Sequence, residues 1–225
     1  MKITIVTPVY NEEKRVGLFL KQLRSTKYKI VVVDDGSTDA SLKQINKIKN
    51  KNTTLLEHKI NLGKGAALKT GCEYAFKEGA DAVILMDSDG QHNVNDLSIF
   101  EKKLRSGKYD IVLGSRNLNL GIPLDRYVGN KIASVFVSLL FRIYVSDIIC
   151  GFRGLTKKAY KKINWESTGY GVETEMVVNI KRNGLTYCEV PVETIYYNSF
   201  KGVTIWDSIG VFGSVMKWKV LSLNK

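Results

Sequence analysis

Val83-Ile84-Leu85-Met86-Asp87-Ser88-Asp89-Gly90-Gln91-His92 decides how the rest of this chain is read. Its apolar run is too short to cross a membrane and lies between Gly79 and Gly90, the pattern of a strand buried on both faces. Where the strand stops, Asp87, Asp89 and Gln91 present two carboxylates and an amide oxygen at alternate positions. Such a hard-oxygen set suits Mg²⁺ or Mn²⁺. A strand end is also where open α/β sheets bind their ligands. The plainer alternative is a turn that Asp87 and Asp89 merely shape ahead of Gly90.

Upstream of this stretch, apolar runs predict strands at Ile3–Thr7, Ile30–Val33 and Thr54–Glu57. Helical spacing predicts helices over Glu12–Leu23, through Leu42, Ile45 and Ile48 after a cap at Ser37 or Thr38, and over Ala66–Lys77. Downstream come a helix over Asp96–Leu104 and a strand at Ile111–Leu113. The alternation predicts an α/β domain with a mainly parallel sheet, helices on both faces and functional residues at the carboxyl ends of its strands. Two phosphate-binding signatures are missing. Pro8 and Tyr10 stand where a dinucleotide fingerprint would need glycines, and Gly63-Lys64-Gly65 lacks the hydroxyl residue of a Walker loop.

The 225 residues suffice for one well-buried domain, and 44% hydrophobic with 25% charged residues is ordinary for a soluble one. Cys72, Cys150 and Cys188 are widely spaced and odd in number, so neither a disulfide framework nor a metal knuckle is expected, and a cytoplasmic setting is. The net charge of +12 favours a phosphorylated substrate, an acidic membrane surface or nucleic acid without choosing among them. Neither a signal peptide nor a spanning helix is expected. Lys131 to Val145 reads as a helix apolar on nearly every side, either core or in contact with something oily. Between Val203 and Leu223, an apolar stripe flanked by Trp206, Trp218, Lys217 and Lys219 suits a helix lying in a headgroup layer. Packing onto the sheet or onto a second subunit would explain the same stripe. The expected division is a catalytic domain over 1–202 and an amphipathic helix over 203–225.

Seven motifs then stand in order. They are Thr7-Pro8-Val9-Tyr10-Asn11-Glu12-Glu13, Val32-Val33-Asp34-Asp35-Gly36-Ser37-Thr38-Asp39, Asn61-Leu62-Gly63-Lys64-Gly65, Asp87-Ser88-Asp89-Gly90-Gln91-His92, Gly114-Ser115-Arg116, Asp147-Ile148-Ile149-Cys150-Gly151-Phe152-Arg153, and Glu173-Thr174-Glu175 ahead of Val190-Pro191-Val192. Together they resemble family 2 glycosyltransferases of the GT-A fold, within them the dolichyl-phosphate mannose and glucose synthase group.

The resemblance implies an inverting, metal-dependent transfer of a hexose from a nucleotide-diphospho-sugar, of UDP-glucose or GDP-mannose type, to a polyprenyl phosphate on the inner face of the cell membrane. It implies that Pro8, Tyr10, Glu12, Val33 and Asp35 surround base and ribose, with Lys64, Asp87, Ser88 and Lys201 completing the donor site. Asp89 and Gln91 would hold the metal, with Asp87 as a further ligand or a ribose contact. Arg116, and more loosely Arg126 and Asn130, would take the acceptor phosphate. A phosphate acceptor fits the forked geometry of Arg and the oily helix that follows, and needs no general base. A sugar hydroxyl would need one, with Glu173, Glu175 and Asp147 as candidates and a structural carboxylate as the alternative for each. His92 reads as a supporting or packing residue. The segment Asn198-Ser199-Phe200-Lys201-Gly202 departs from the family's longer basic loop, which bears on Lys201. A nucleic-acid-binding reading lacks a stacking platform and puts carboxylates where positive charge is needed, so no nucleic-acid partner is expected. A membrane-protein partner or a second copy of the chain would serve as anchor.

Overall fold

Strand β1 (Ile3–Val9) is buried at every position, and its alternation divides the molecule into two cores. Ile3, Ile5 and Val9 pack with Val16, Phe19, Leu20 and Leu23 of α1 (Val16–Arg24), while Val6 turns to the opposite face and packs with Leu68 and Phe76 of α3 (Lys64–Lys77). The computed structural model describes residues 1–116, 124–195 and 213–219, with side chains from 128 onward in the second span. The remaining elements are β2 (Lys29–Asp34), α2 (Ser41–Ile48), β3 (Thr53–Glu57), β4 (Ala82–Leu85), α4 (Leu97–Arg105), β5 (Ile111–Arg116), α5 (Leu124–Phe141), β6 (Arg153–Thr156), α6 (Lys157–Ile163), α7 (Val172–Arg182) and β7 (Tyr187–Val192).

The strands form one sheet in the order β3-β2-β1-β4-β6-β5-β7. All pairings are parallel except those of β6, which runs antiparallel to both β4 and β5. Chain order reverses between β1 and β4, and that switch point opens a crevice at their carboxyl ends. Helix α3 lies close against the sheet through Gly71, where a Cβ would stand 2.4 Å from Val6 Cγ1 and 3.1 Å from Val33 Cγ2. Buried Phe19, Phe100, Phe152 and Trp165 anchor the two cores, each side chain contributing roughly 1.5–3 kcal/mol of transfer free energy.

The mainly parallel sheet expected from the sequence is present, with several limits moved for identifiable reasons. Helix α1 begins at Val16 rather than Glu12, because Asn11, Glu12 and Glu13 are bonded to the β2–α2 loop. Helix α3 begins at Lys64 rather than Ala66, so the Gly-Lys-Gly segment forms its first turn. Helix α5 spans Leu124–Phe141 rather than 131–145, and Arg142 ends it with a φ of 55°. Helix α5 also inverts the usual arrangement: Asn130 and Ser134 are buried beside Val137 and Phe141, while Val128, Ile132, Val135 and Leu139 are exposed.

Of the helix expected over 203–223, the described part is 213–219. Val215 and Trp218 are buried in the same core as α5 and α7, and Lys219 donates to the Leu140 carbonyl at 2.8 Å. The Arg182 guanidinium donates to the Trp218 carbonyl. The indole of Trp218 is therefore a packing group, whereas Met216 points outward. Among the described residues no helix is long and apolar enough to cross a membrane.

Candidate active site

Beyond β4 the chain turns through Asp87, Ser88 and Asp89 at the switch point. Asp87 fits because residue 151 is glycine: a Cβ there would stand 2.3 Å from Asp87 Oδ2. Lys64 Nζ lies 2.7 Å from Asp87 Oδ1 and 2.7 Å from Glu173 Oε1, joining β4, α3 and α7 at one point. Burial works against the charge of Asp87, but the Lys64 ammonium, with Arg116 beyond it, outweighs it and holds the carboxyl below its usual range. Asp89 goes the other way, pushed up first by burial and then by the charge of Asp87, although its Oδ1 accepts the Gln91 amide at 3.0 Å. His92 packs on Phe152 with ring centroids 5.1 Å apart, its Nε2 3.9 Å from Asp87 Oδ2, and burial pushes its pKa down. It is a neutral wall of the crevice.

Lys64 is aimed by its backbone, which is gripped from two sides. On one side Asp35 accepts the amides of Leu62 at 3.0 Å and Gly63 at 2.8 Å. His58 steadies that carboxylate, with Nδ1 2.7 Å from Asp35 Oδ1 and Nε2 3.0 Å from Thr70 Oγ1. On the other side the Thr168 carbonyl accepts the amides of Gly65 and Ala66. The approach is so close that a Cβ on Gly63 would meet Thr168 O at 2.5 Å, and one on Gly65 would meet Ser167 O at 2.0 Å. Gly63 also needs its φ of 96°. The 166–168 segment is itself held by Glu175, which accepts the amides of Glu166 at 2.8 Å and Ser167 at 2.7 Å.

The loops after β1 and β2 are laced together. The Asn11 amide donates to Ser37 Oγ and the Glu12 amide to Ser41 Oγ, while Glu13 accepts from the Ala40 amide. This lacing leaves Tyr10 45% exposed at the mouth of the crevice, available to pack on a flat ring. Pro8 and Val33 are register partners in the sheet below it.

At the end of β5, Asp147 collects the second cluster. Its carboxylate accepts from Arg116 Nε at 2.7 Å, the Arg116 terminal nitrogen at 2.9 Å, the Arg116 amide at 3.1 Å and Asn130 Nδ2 at 3.0 Å. Next to it, Ser146 bonds to Ser115 and to Glu189.

The structure thus gathers Tyr10, Asp35, Lys64, Asp87, Ser88, Asp89 and Gln91 along the carboxyl edge of β1, β2 and β4, and Arg116 with Asn130 at the end of β5. Four expectations are corrected. Asp35, expected around base and ribose, is buried with its oxygens on His58 and the Leu62 and Gly63 amides. Asn130, expected at the acceptor phosphate, is buried with its amide on Asp147. The Glu175 carboxylate, a candidate base, has both oxygens taken by backbone amides and supports a loop. Val33 is fully buried, and its side chain packs toward α3 rather than toward a ligand. Arg153 donates to the carbonyls of Cys150, Glu173 and Ile148. Lys201 and the side chain of Arg126 lie outside the described residues. His58 and Trp165, whose Nε1 donates to the Gly65 carbonyl at 3.0 Å, were missed. Only the position of His58, one residue beyond β3 at the ligand edge, could have marked it.

Among the described residues no group of three His, Cys, Asp or Glu side chains is gathered to hold an ion. Asp87, Asp89 and Gln91 nonetheless fit a hard divalent cation as an oxygen set, since Asp89 is raised by burial and then by the charge of Asp87 and such an ion offsets both. Gly151→Ala is expected to keep the fold, displace Asp87 and weaken nucleotide binding in the presence of Mn²⁺ by about tenfold, or roughly 1.4 kcal/mol. Calorimetric titration checks this, and wild-type affinity would mean that Asp87 need not stand where it does.

A sheet with one antiparallel strand inserted beyond a switch point, and an Asp-x-Asp turn at that point, defines the GT-A class of glycosyltransferase. Residues 4–164 match the family model for Glycosyl transferase family 2, and the chain belongs to that family. It is 30% identical to a UDP-N-acetylglucosamine–dolichyl-phosphate N-acetylglucosaminyltransferase of Methanococcus voltae, over 97% of this chain and 96% of that one. It is 28% identical to a dolichyl-phosphate beta-glucosyltransferase of Trichomonas vaginalis, over 97% of this chain and 76% of that one. The fold matches that of glucosyl-3-phosphoglycerate synthase from Mycobacterium tuberculosis, crystallised with Mn²⁺, UDP-glucose and phosphoglyceric acid. The TM-score is 0.71 at 17% identity, covering 98% of this chain and 79% of the other.

Proposed function

We propose that this glycosyltransferase moves a sugar, with inversion, from a uridine-diphospho-sugar to a polyprenyl phosphate at a membrane surface. The observation that carries the acceptor half is the fate of the three carboxylates a hydroxyl acceptor would need as base. Glu173 is paired with Lys64, Glu175 with two backbone amides, and Asp147 with Arg116 and Asn130. A phosphate monoester, with a second pKa of about 6, is already ionised at neutral pH and asks for no base.

In this reading Tyr10 packs on the base, and Asp35 supports the loop that carries Lys64. Asp87, Asp89 and Gln91 would hold Mg²⁺ or Mn²⁺, whose chemistry there is to neutralise charge on the departing diphosphate. Arg116, oriented by Asp147, meets the acceptor phosphate, with Arg126 and Lys201 adding positive charge, while buried Asn130 steadies the Asp147 carboxylate through Nδ2. The exposed Val128, Ile132, Val135 and Leu139 form an apolar stripe on the outer side of α5, which supports contact with a lipid or a membrane surface. The relatives named for dolichyl-phosphate transfer support the same acceptor.

The test uses purified protein with radiolabelled UDP-glucose and UDP-N-acetylglucosamine and a polyprenyl phosphate in detergent. The expected result is an acid-labile lipid product whose formation stops in EDTA and resumes with Mn²⁺. Transfer to a hydroxylated glycan or lipid, with none to the lipid phosphate, would replace this reading with the alternative acceptor.

A further inference from the structure

Lys64 has a feature that the donor-site role alone does not explain: its ammonium already sits where a cation belongs. Nζ is 2.7 Å from Asp87 Oδ1 and 2.7 Å from Glu173 Oε1, and the Lys64 side chain is 18% exposed. The Asp87 carboxylate lies against the Cβ-less face of Gly151, with Oδ2 3.9 Å from His92 Nε2 and Oδ1 carrying the ammonium. An ion that takes Asp87 as a ligand therefore meets the Lys64 ammonium on the same carboxylate, whichever oxygen it uses. The grip of Asp35 and Thr168 on Leu62, Gly63, Gly65 and Ala66 fixes the backbone around Lys64, so any change of partner must come from swinging the side chain.

We infer that Lys64 is a resident counter-ion that competes with the divalent cation for Asp87 until the donor's diphosphate draws the ammonium away, so that ion and nucleotide bind as a coupled pair. This rests on the glycosyltransferase reading above. The physical argument is one of charge. With Lys64 on Asp87, an incoming dication meets a positive charge at contact distance in a half-buried crevice, where such repulsion is weakly screened. A diphosphate supplies two things at once: oxygens that complete the ion's coordination and an anion better matched to Lys64 than a shared carboxylate. Each ligand then clears the way for the other, and by linkage the enhancement is reciprocal. Glu173 is the second post on which the ammonium rests, which sets how firmly Asp87 is occupied.

The experiment titrates Mn²⁺ into the full chain with and without saturating UDP, following free ion by electron paramagnetic resonance. In the wild type, UDP is expected to tighten Mn²⁺ binding about thirtyfold, within the range common for linked sites. In Lys64→Met, Mn²⁺ binding without nucleotide is expected to tighten about tenfold, and the enhancement by UDP to shrink to about threefold. A lysine that only adds positive charge to the crevice would shift Mn²⁺ affinity equally with and without UDP, and an unchanged enhancement in this variant would overturn the inference. Glu173→Gln moves the readings the other way, since Lys64 then leans on Asp87 alone of the two. Nucleotide-free Mn²⁺ affinity should fall and the enhancement should grow, so that variant decides the matter if Lys64→Met does not fold. Binding of both ligands by the wild type with an enhancement near one defeats the competition and leaves the donor site standing. Binding of neither, alone or together, defeats the donor-site reading itself.

Discussion

Replacing Asp89 with Asn is expected to raise the barrier to sugar transfer by about 2–4 kcal/mol, comparable to removing one donor from an oxyanion hole, and yet to make the ligand-free protein more stable. Both effects follow from one arrangement. Asp89 is pushed up by burial and by the charge of Asp87, so its ionised form is a cost carried by the folded chain. A carboxyl whose folded pKa is raised costs nothing below the unfolded value. The penalty appears as pH climbs through the interval up to the folded value and is complete above it. Asn removes the penalty at neutral pH, so melting in EDTA should show the variant above the wild type near pH 7, with the gap closing as pH falls below the ordinary Asp range. Asp87, held low by Lys64 despite burial, carries the opposite sign. Its ionised form adds stability above the unfolded pKa, lost as pH falls through the folded one, so Asp87→Asn should melt lower at pH 7. Wild-type turnover in Asp89→Asn with unchanged metal dependence would remove Asp89 from the reaction.

Local patterns made the parallel half of the sheet legible, because Ile3–Val9, Lys29–Asp34 and Ala82–Leu85 are apolar runs ended by polar turns. Strand β6 was not legible. Four residues, Arg-Gly-Leu-Thr, with a fully buried Arg at their head, read as loop until the carbonyls of residues 148, 150 and 173 are brought around the guanidinium. Asp87, Asp89, Lys64 and Arg116 announced themselves by position in motifs. Glu175 shared a motif and has a different task, because which acid meets a ligand and which meets backbone amides depends on the 166–168 loop and on no short-range pattern. Helix α5 shows the same limit. A helix apolar on nearly every side does not say which side faces in, and Asp147 decides it by drawing Asn130 toward the core.

Asp147 is also where the acceptor side should prove most fragile. Its carboxylate is fully buried, receives three bonds from Arg116 and one from Asn130, and Asn130 is itself buried. Asp147→Ala removes the acceptor common to all four and takes the charged partner away from the Arg116 fork and the amide partner away from Asn130. Loss of one partner from a buried pair costs about 3–5 kcal/mol, and since Arg116 keeps partial access to solvent the lower figure of about 3 is expected. For a chain of this size that lowers the melting temperature by roughly 6–12 °C. Asp147→Asn keeps shape and most bonds, so it should melt closer to the wild type while still losing transfer to the lipid phosphate, because an Arg116 whose fork is no longer pinned by charge does not keep its place beside the acceptor. Combining Arg116→Ala with Asp147→Ala separates pairing from packing: the double variant should be more stable than the sum of the single losses allows, since the bonds between the two residues can be lost only once. Additive losses would mean that the two residues stabilise the end of β5 independently, and Asp147 would then have no part in aiming Arg116.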